Sequence, residues 1–236
     1  MGVMTATTVW GRIDGREITF PMEVHEFNAA TAVFSVPAAE AASLLPGDAF
    51  EIAEVAPDVA QLVVAACDYR RNPWGAYNEI NLGFLARPSG APLEQVGSFV
   101  YRMPVDQEFT CEAGNRVMGF PKTVEHIDAT YTADEVSFRL VAQGRLAFAI
   151  ALPRAAATGA AERIEAESYS YLDGRPHATP LSMDMGTGFV DPTAVRIELG
   201  DGPIADELGR LGLPKHPDFC TWGEGLTATF ELGRPI

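Results

Sequence analysis

With 236 residues and 47% hydrophobic content, the chain can bury a sizeable core and falls among globular proteins rather than disordered or fibrous ones. A formal net charge of −15, with no basic stripe, argues against nucleic acid or an anionic membrane surface as a partner. The stretch from Met1 to Trp10 has no basic segment leading into an apolar one, and the longest apolar run, Leu62 to Cys67, is far too short to cross a bilayer, so a soluble cytoplasmic protein is expected.

The first predicted element is a hairpin, Thr8 to Ile13 and Glu17 to Phe20, joined by Asp14-Gly15, a pair suited to the positive φ angles of a type I′ turn. A strand over Ala30 to Val36 follows. Pro37 then opens a short helix through Leu45 that Pro46-Gly47 closes. Strands are predicted at Phe50 to Val55 and Ala60 to Tyr69. The turn-rich Arg70 to Gly75 leads to further strands at Tyr77 to Arg87 and Gln95 to Arg102.

Asp106 is placed as the N-cap of a helix from Gln107 towards Val117, which delivers the chain to Gly119-Phe120-Pro121 just before Lys122. Val124 to Tyr131, Glu135 to Ala142 and Arg145 to Leu152 read as an antiparallel meander. Arg154 to Arg163 reads as an exposed excursion. Later strands are predicted at Glu165 to Leu172, Thr179 to Asp184, Ala194 to Leu199 and Leu226 to Leu232, with Gly186-Thr187-Gly188 as a turn. A second helix, capped by Asp201 and running from Pro203 to about Leu211, puts Ile204, Leu208 and Leu211 on one face. The pattern predicts an α+β fold, mostly antiparallel β, closed or nearly closed into a barrel-like sheet with a few flanking helices, as a single domain over residues 1–236.

Nucleophile-elbow, phosphate-loop and dinucleotide motifs are missing. Cys67, Cys111 and Cys220 are odd in number and far apart, so they read as reduced, mostly buried thiols. His25, His126, His177 and His216 show no metal-ligand spacing, and no metal or cofactor is expected. Lysine is the unusual residue: the chain has two, against fifteen arginines. Arginine bias can follow genome composition alone, but an amine can lose its proton and attack a carbonyl where a guanidinium cannot.

One of the two, Lys122, sits in Met118-Gly119-Phe120-Pro121-Lys122-Thr123, and Glu79 ends Gly75-Ala76-Tyr77-Asn78-Glu79. These segments resemble the acetoacetate decarboxylase-like superfamily, in which Gly-x-Tyr-x-Glu and Gly-Tyr/Phe-Pro-Lys stretches occur in this order at about this separation. Pro203 to Leu208 with Gly212-Leu213-Pro214 is similar to bacterial members. The resemblance covers most of the chain. It implies a homo-oligomeric enzyme in which Lys122 attacks the carbonyl of a small oxo-acid or ketone. The resulting iminium would draw electrons during loss of carbon dioxide from a β-keto acid, or during an aldol or dehydration step. Glu79 would be the acid/base group, with Tyr77, Phe120, Met118, Arg116 and His25 as substrate-binding candidates. Tyr101, Arg102 and Trp222 are left outside that set.

An amine of ordinary pKa near 10.4 is neutral at pH 7 in only about one molecule in 2,500, a deficit of roughly 4.6 kcal/mol that its surroundings must supply. Acetoacetate decarboxylase itself is a standard instance of a lysine activated by burial or by an adjacent cation. Here the second lysine of the family pattern is Thr123, so burial is the remaining lever, with Arg116 as possible help. Gly114-Asn115-Arg116 replaces Gly-Arg-Glu, Val64 falls where a second carboxylate is expected, and no arginine lies near His25 to Phe27, where one is expected to hold the substrate carboxylate. A different class stands beside this reading: a barrel that binds an apolar or polyketide-like ligand as a cyclase-like template, without an imine.

Overall fold

The computed structural model describes residues 7–236. A hairpin of β1 (Thr8–Ile13) and β2 (Arg16–Phe20) comes first, and Asp14 and Gly15 at its tip take φ of 48° and 77°, as a type I′ turn requires. The remaining strands are β3 (Met22–Pro37), β4 (Phe50–Ile52), β5 (Val59–Arg71), β6 (Tyr77–Pro88), β7 (Gly97–Val105), β8 (Lys122–Val124), β9 (His126–Tyr131), β10 (Glu135–Ala142) and β11 (Arg145–Pro153). They continue with β12 (Glu162–Leu172), β13 (Arg175–Met185), β14 (Thr187–Phe189), β15 (Arg196–Leu199), β16 (Phe219–Phe230) and β17 (Arg234–Pro235). The α-helices are α1 (Ala38–Ser43), α2 (Glu108–Ala113) and α3 (Pro203–Arg210).

Seven strands close a mixed barrel in the order β16, β3, β5, β6, β7, β12, β13, with β13 pairing back onto β16. Six of the seven joints are antiparallel. At the seventh, β7 and β12 run parallel, with Ser98 opposite Ser168 and Phe99 opposite Tyr169. Outside the barrel, β9, β10, β11 and β15 form a separate antiparallel sheet, in which β9, β10 and β11 are the predicted meander.

This arrangement explains why β5 is apolar on both faces. Side chains alternate sides along a strand. Leu62, Val64 and Ala66 point outward into a core shared with Phe138, Leu140, Phe148 and Ile150 of the outer sheet and with Ile204, Leu208 and Leu211 around α3. Val63, Ala65, Cys67 and Tyr69 point into the barrel. Each large side chain fully buried in the outer core contributes about 1.5–3 kcal/mol, so the outer sheet clamps the barrel wall from behind. Val64 belongs to that outer core and does not face the barrel interior.

Several expected local features differ. The N-cap of α2 is Gln107, whose side chain accepts from the Thr110 amide at 2.9 Å; Asp106 instead accepts from the backbone and side-chain nitrogens of Asn78, both at 2.7 Å. The N-cap of α3 is Gly202 rather than Asp201, at φ 101°. Thr187 and Gly188, expected with Gly186 as a turn, instead lie in β14, which extends the sheet by pairing with β16. The strand expected over Val124 to Tyr131 is two: β8 pairs parallel with β7, and β9 leaves to join the outer sheet. Cys67 and Cys220 are buried, Cys111 is half-buried, and all three are free.

Candidate active site

Lys122 owes its position to the segment before it. After α2 the helix widens into a π turn over Gly114–Met118, and Gly119 ends it in the left-handed region at φ 67°. A Cβ on Gly119 would run into the Tyr171 carbonyl, so the residue must be glycine for conformation and space alike. The π turn aims Asn115 at the backbone of Lys122: its Oδ1 accepts from the Lys122 amide at 2.8 Å, and its Nδ2 donates to the Lys122 carbonyl at 3.1 Å. Gly114 supplies the groove for the lysine stem, since a Cβ there would sit 2.6 Å from Lys122 Cδ.

From that seat the stem enters the barrel, and Lys122 is 7% exposed. Its Nζ donates to Glu79 Oε2 at 2.7 Å and to Thr110 Oγ1 at 3.4 Å, and it lies 5.1 Å from the centre of the Tyr77 ring. Glu79 is itself 4% exposed. It sits opposite Cys67 on β5 and shares an inward face with Tyr77 and Asn81. Burial, and then the Glu79 charge, push the Tyr77 and Tyr69 hydroxyls and the Cys67 thiol well above their ordinary values, so all three stay neutral beside the pair.

The pair lies in a cavity of about 400 Å³ inside the barrel. Tyr69, Trp74 and Tyr77 close its inner end; Tyr69 stacks on both Phe27 and Tyr77, with ring centres 5.4 and 4.6 Å apart. Trp74 is held by Asn72, which accepts from the Trp74 amide at 2.8 Å and donates to the Gly75 carbonyl at 2.7 Å. The other end opens between half-buried Val63, Asn81, Ser98 and Thr221, with exposed Ile164 and Phe219 on its rim. Solvent and small molecules can therefore reach Nζ, while most of the wall is apolar. Among the described residues no group of three His, Cys, Asp or Glu side chains is arranged to hold a metal ion.

Of the residues singled out from sequence, the structure brings Lys122, Glu79, Tyr77, Met118 and Phe120 to this cavity. It does not bring the other two. The Arg116 side chain is 53% exposed and pairs with Glu112 one turn earlier at 2.7 Å, so it projects from the solvent face of the π turn. His25 is exposed on β3; an irregularity between Glu26 and Phe27 turns Phe27, not His25, into the barrel. Tyr101 and Trp222 pack in the outer core, and Arg102 pairs with Glu207 at 2.6 Å. Sequence reasoning missed Thr110 and Asn115. Thr110 had a legible signal, because Thr110, Ala113, Gly114 and Val117 follow helical spacing and all are buried on one face.

The fold and site together define a barrel protein with one buried amine, held by a carboxylate, at the closed end of a solvent-reached cavity. The family model for acetoacetate decarboxylase matches residues 10–215, and the chain belongs to that family. It is a family of enzymes, and some members have other activities.

Solved structures with the same fold include acetoacetate decarboxylase from Legionella pneumophila, at 14% identity and TM-score 0.67 over 92% of this chain and 87% of that one. An acetoacetate decarboxylase-like enzyme from Sphingomonas wittichii aligns at 15% identity and TM-score 0.62 over 98% and 100%. The enduracididine biosynthesis enzyme MppR, complexed with pyruvate, aligns at 14% and TM-score 0.64 over 91% and 90%. No curated protein sequence matches significantly. Among the described residues no helix is long and apolar enough to cross a membrane.

Proposed function

We propose that the protein is a lysine-imine carbon–carbon lyase, with Lys122 as nucleophile and Glu79 as proton carrier. The observation that carries this reading is the buried 2.7 Å contact between Nζ and Glu79 Oε2 at the end of an open cavity. Moving the shared proton along that contact leaves a neutral amine and a neutral carboxylic acid without bringing a charge in from solvent. Both partners are almost wholly buried, so water reaching the cavity hydrates them little and each depends mainly on the other to balance its charge.

The neutral amine attacks the carbonyl carbon of a substrate. Glu79 gives its proton to the departing oxygen, which leaves as water, and the iminium so formed faces the Glu79 carboxylate. Cleavage of the adjacent carbon–carbon bond sends its electron pair to the iminium nitrogen and yields an enamine. Glu79 regains a proton, from water when carbon dioxide leaves or from the β-hydroxyl when a β-hydroxy ketone is cleaved, and passes it to the enamine carbon; water then hydrolyses the iminium, releasing the second product and restoring the amine. Loss of carbon dioxide from a β-keto acid and cleavage of a β-hydroxy ketone share every step up to the iminium. The MppR complex with pyruvate supports a carbonyl compound as the ligand of this fold.

Imine formation exchanges the carbonyl oxygen with water. Incubating the protein with a ketone labelled isotopically at that oxygen should therefore speed loss of the label, and Lys122→Ala should return the loss to the uncatalysed rate. Equal loss with both proteins would eliminate the imine and favour the template reading.

A further inference from the structure

The cavity walls carry more information about the substrate than the reacting pair does. Along β13 and β16 the lining is Leu181, Met183, Met185, Ala228 and Phe230, and Met22, Phe27 and Ala65 continue it on β3 and β5. The polar groups between Glu79 and the opening are neutral: Asn81, Thr31, Ser98, Ser168 and Thr221. Lys122 is the sole cation of the lining among the described residues, and Glu79 already engages it. The other charged lining residue is Glu167, an anion whose carboxylate is taken by Arg234.

A substrate carboxylate would thus enter an apolar cavity that holds two carboxylates and offers it no free cation. Burying an unpaired charge is strongly unfavourable, whereas a carbonyl compound without a charge loses little and gains from the apolar wall. The iminium itself adds no free cation, because its single charge stays balanced by Glu79. The volume, about 400 Å³, equals roughly a dozen liquid waters at ~30 Å³ each, ample for a body much larger than that of a small oxo-acid.

We infer that this site takes an uncharged ketone or aldehyde with an extended apolar or aromatic body, and discriminates against small oxo-acids. The inference rests on the imine reading for its chemistry and on the cavity wall for its specificity. With no carboxylate on the substrate, the iminium serves aldol-type cleavage or formation of a carbon–carbon bond: a β-hydroxyl loses its proton to Glu79 as the bond breaks and leaves as an aldehyde, and the remaining fragment is the enamine.

The test is borohydride trapping on the full chain with methyl heptyl ketone, benzylacetone, acetoacetate and pyruvate, followed by intact mass. Half-maximal trapping with the two apolar ketones is expected at concentrations at least about tenfold below those for either oxo-acid. Equal or tighter trapping of acetoacetate or pyruvate overturns the specificity and leaves the imine intact. If no compound is trapped, the imine reading fails, and thermal shifts of the natural chain decide the specificity alone. Stabilisation by the apolar ketones exceeding that by acetoacetate upholds it, and the reverse order removes it.

Discussion

Lys122 and Glu79 meet across a strand that belongs to neither of them. Lys122 on β8 lies opposite Met103 of β7, Glu79 on β6 lies opposite Val105 of the same strand, and their side chains join at 2.7 Å although 43 residues separate them. The strand β7 therefore sets the geometry of the pair, and the pair ties a short parallel strand to the barrel wall. Both side chains are almost wholly buried, at 4% and 5% exposure, so the pair is an energetic unit as well as a chemical one.

Breaking such a pair by removing one partner leaves an uncompensated buried charge, whereas replacing both with apolar groups does not. Glu79→Leu is expected to lower unfolding free energy by about 3–5 kcal/mol, and Glu79→Leu with Lys122→Met to recover most of that loss. Urea denaturation of the three proteins measures it. A double variant as unstable as the single one would mean that the loss comes from something other than the uncompensated Lys122 charge.

Thr110 tests the smaller contact at 3.4 Å. Thr110→Val keeps the shape and removes the hydroxyl, which is worth about 0.5–1.5 kcal/mol for one hydrogen bond. Imine trapping at Lys122 should slow by about threefold to tenfold, with unchanged far-ultraviolet circular dichroism. An unchanged trapping rate would remove Thr110 from the site.

Asn115 holds the lysine by its backbone rather than by its amine. Asn115→Ala removes both bonds while the Lys122 amide still donates to the Phe120 carbonyl at 2.8 Å, so the cost is about 0.5–1.5 kcal/mol per lost bond, and the stem can swing. Slower trapping and a lower denaturation midpoint are expected together. Arg116→Ala, at the next position but paired only with Glu112 in solvent, should change stability by less than about 1 kcal/mol and leave trapping unaltered.

A pH effect arises away from the cavity. His177 is buried, its Nε2 has no hydrogen-bond partner among the described residues, and burial, then the nearby Arg234 charge, holds its imidazole below the ordinary value of 6.5. The unfolded chain then binds the proton more readily than the folded one, so the folded state keeps its full stability above about pH 6.5 and loses stability as pH falls below it. Urea midpoints at about pH 7.5 and about pH 5.5 should differ less for His177→Gln than for the natural chain. An equal difference in both proteins would assign the effect to other groups.

The sequence carried much of this architecture because strand and turn signals are local. Glu135–Ala142 is found where its alternating pattern placed it, and Asp14-Gly15 turns as its residues require. Leu62 to Cys67 was legible as a strand but not as a two-sided one, since an apolar run does not say which face meets an outer sheet and which a cavity. The parallel joint of β7 with β12, and the split between β8 and β9, depend on contacts distant in sequence. Positional analogy misplaced His25 and Arg116 for a related reason: one irregularity in a strand, or one wide turn in a helix, rotates a side chain from cavity to solvent.

The imine mechanism requires a covalent bond to one amine, and the composition makes that bond simple to locate. Only Lys122 and Lys215 carry side-chain amines, and Lys215 is exposed and bonded to the Ser35 carbonyl. Borohydride reduction in the presence of benzylacetone, followed by peptide mapping, should place the reduced adduct on Lys122 and leave Lys215 unmodified. An adduct on Lys215 alone, or equal labelling of both lysines, would contradict the account.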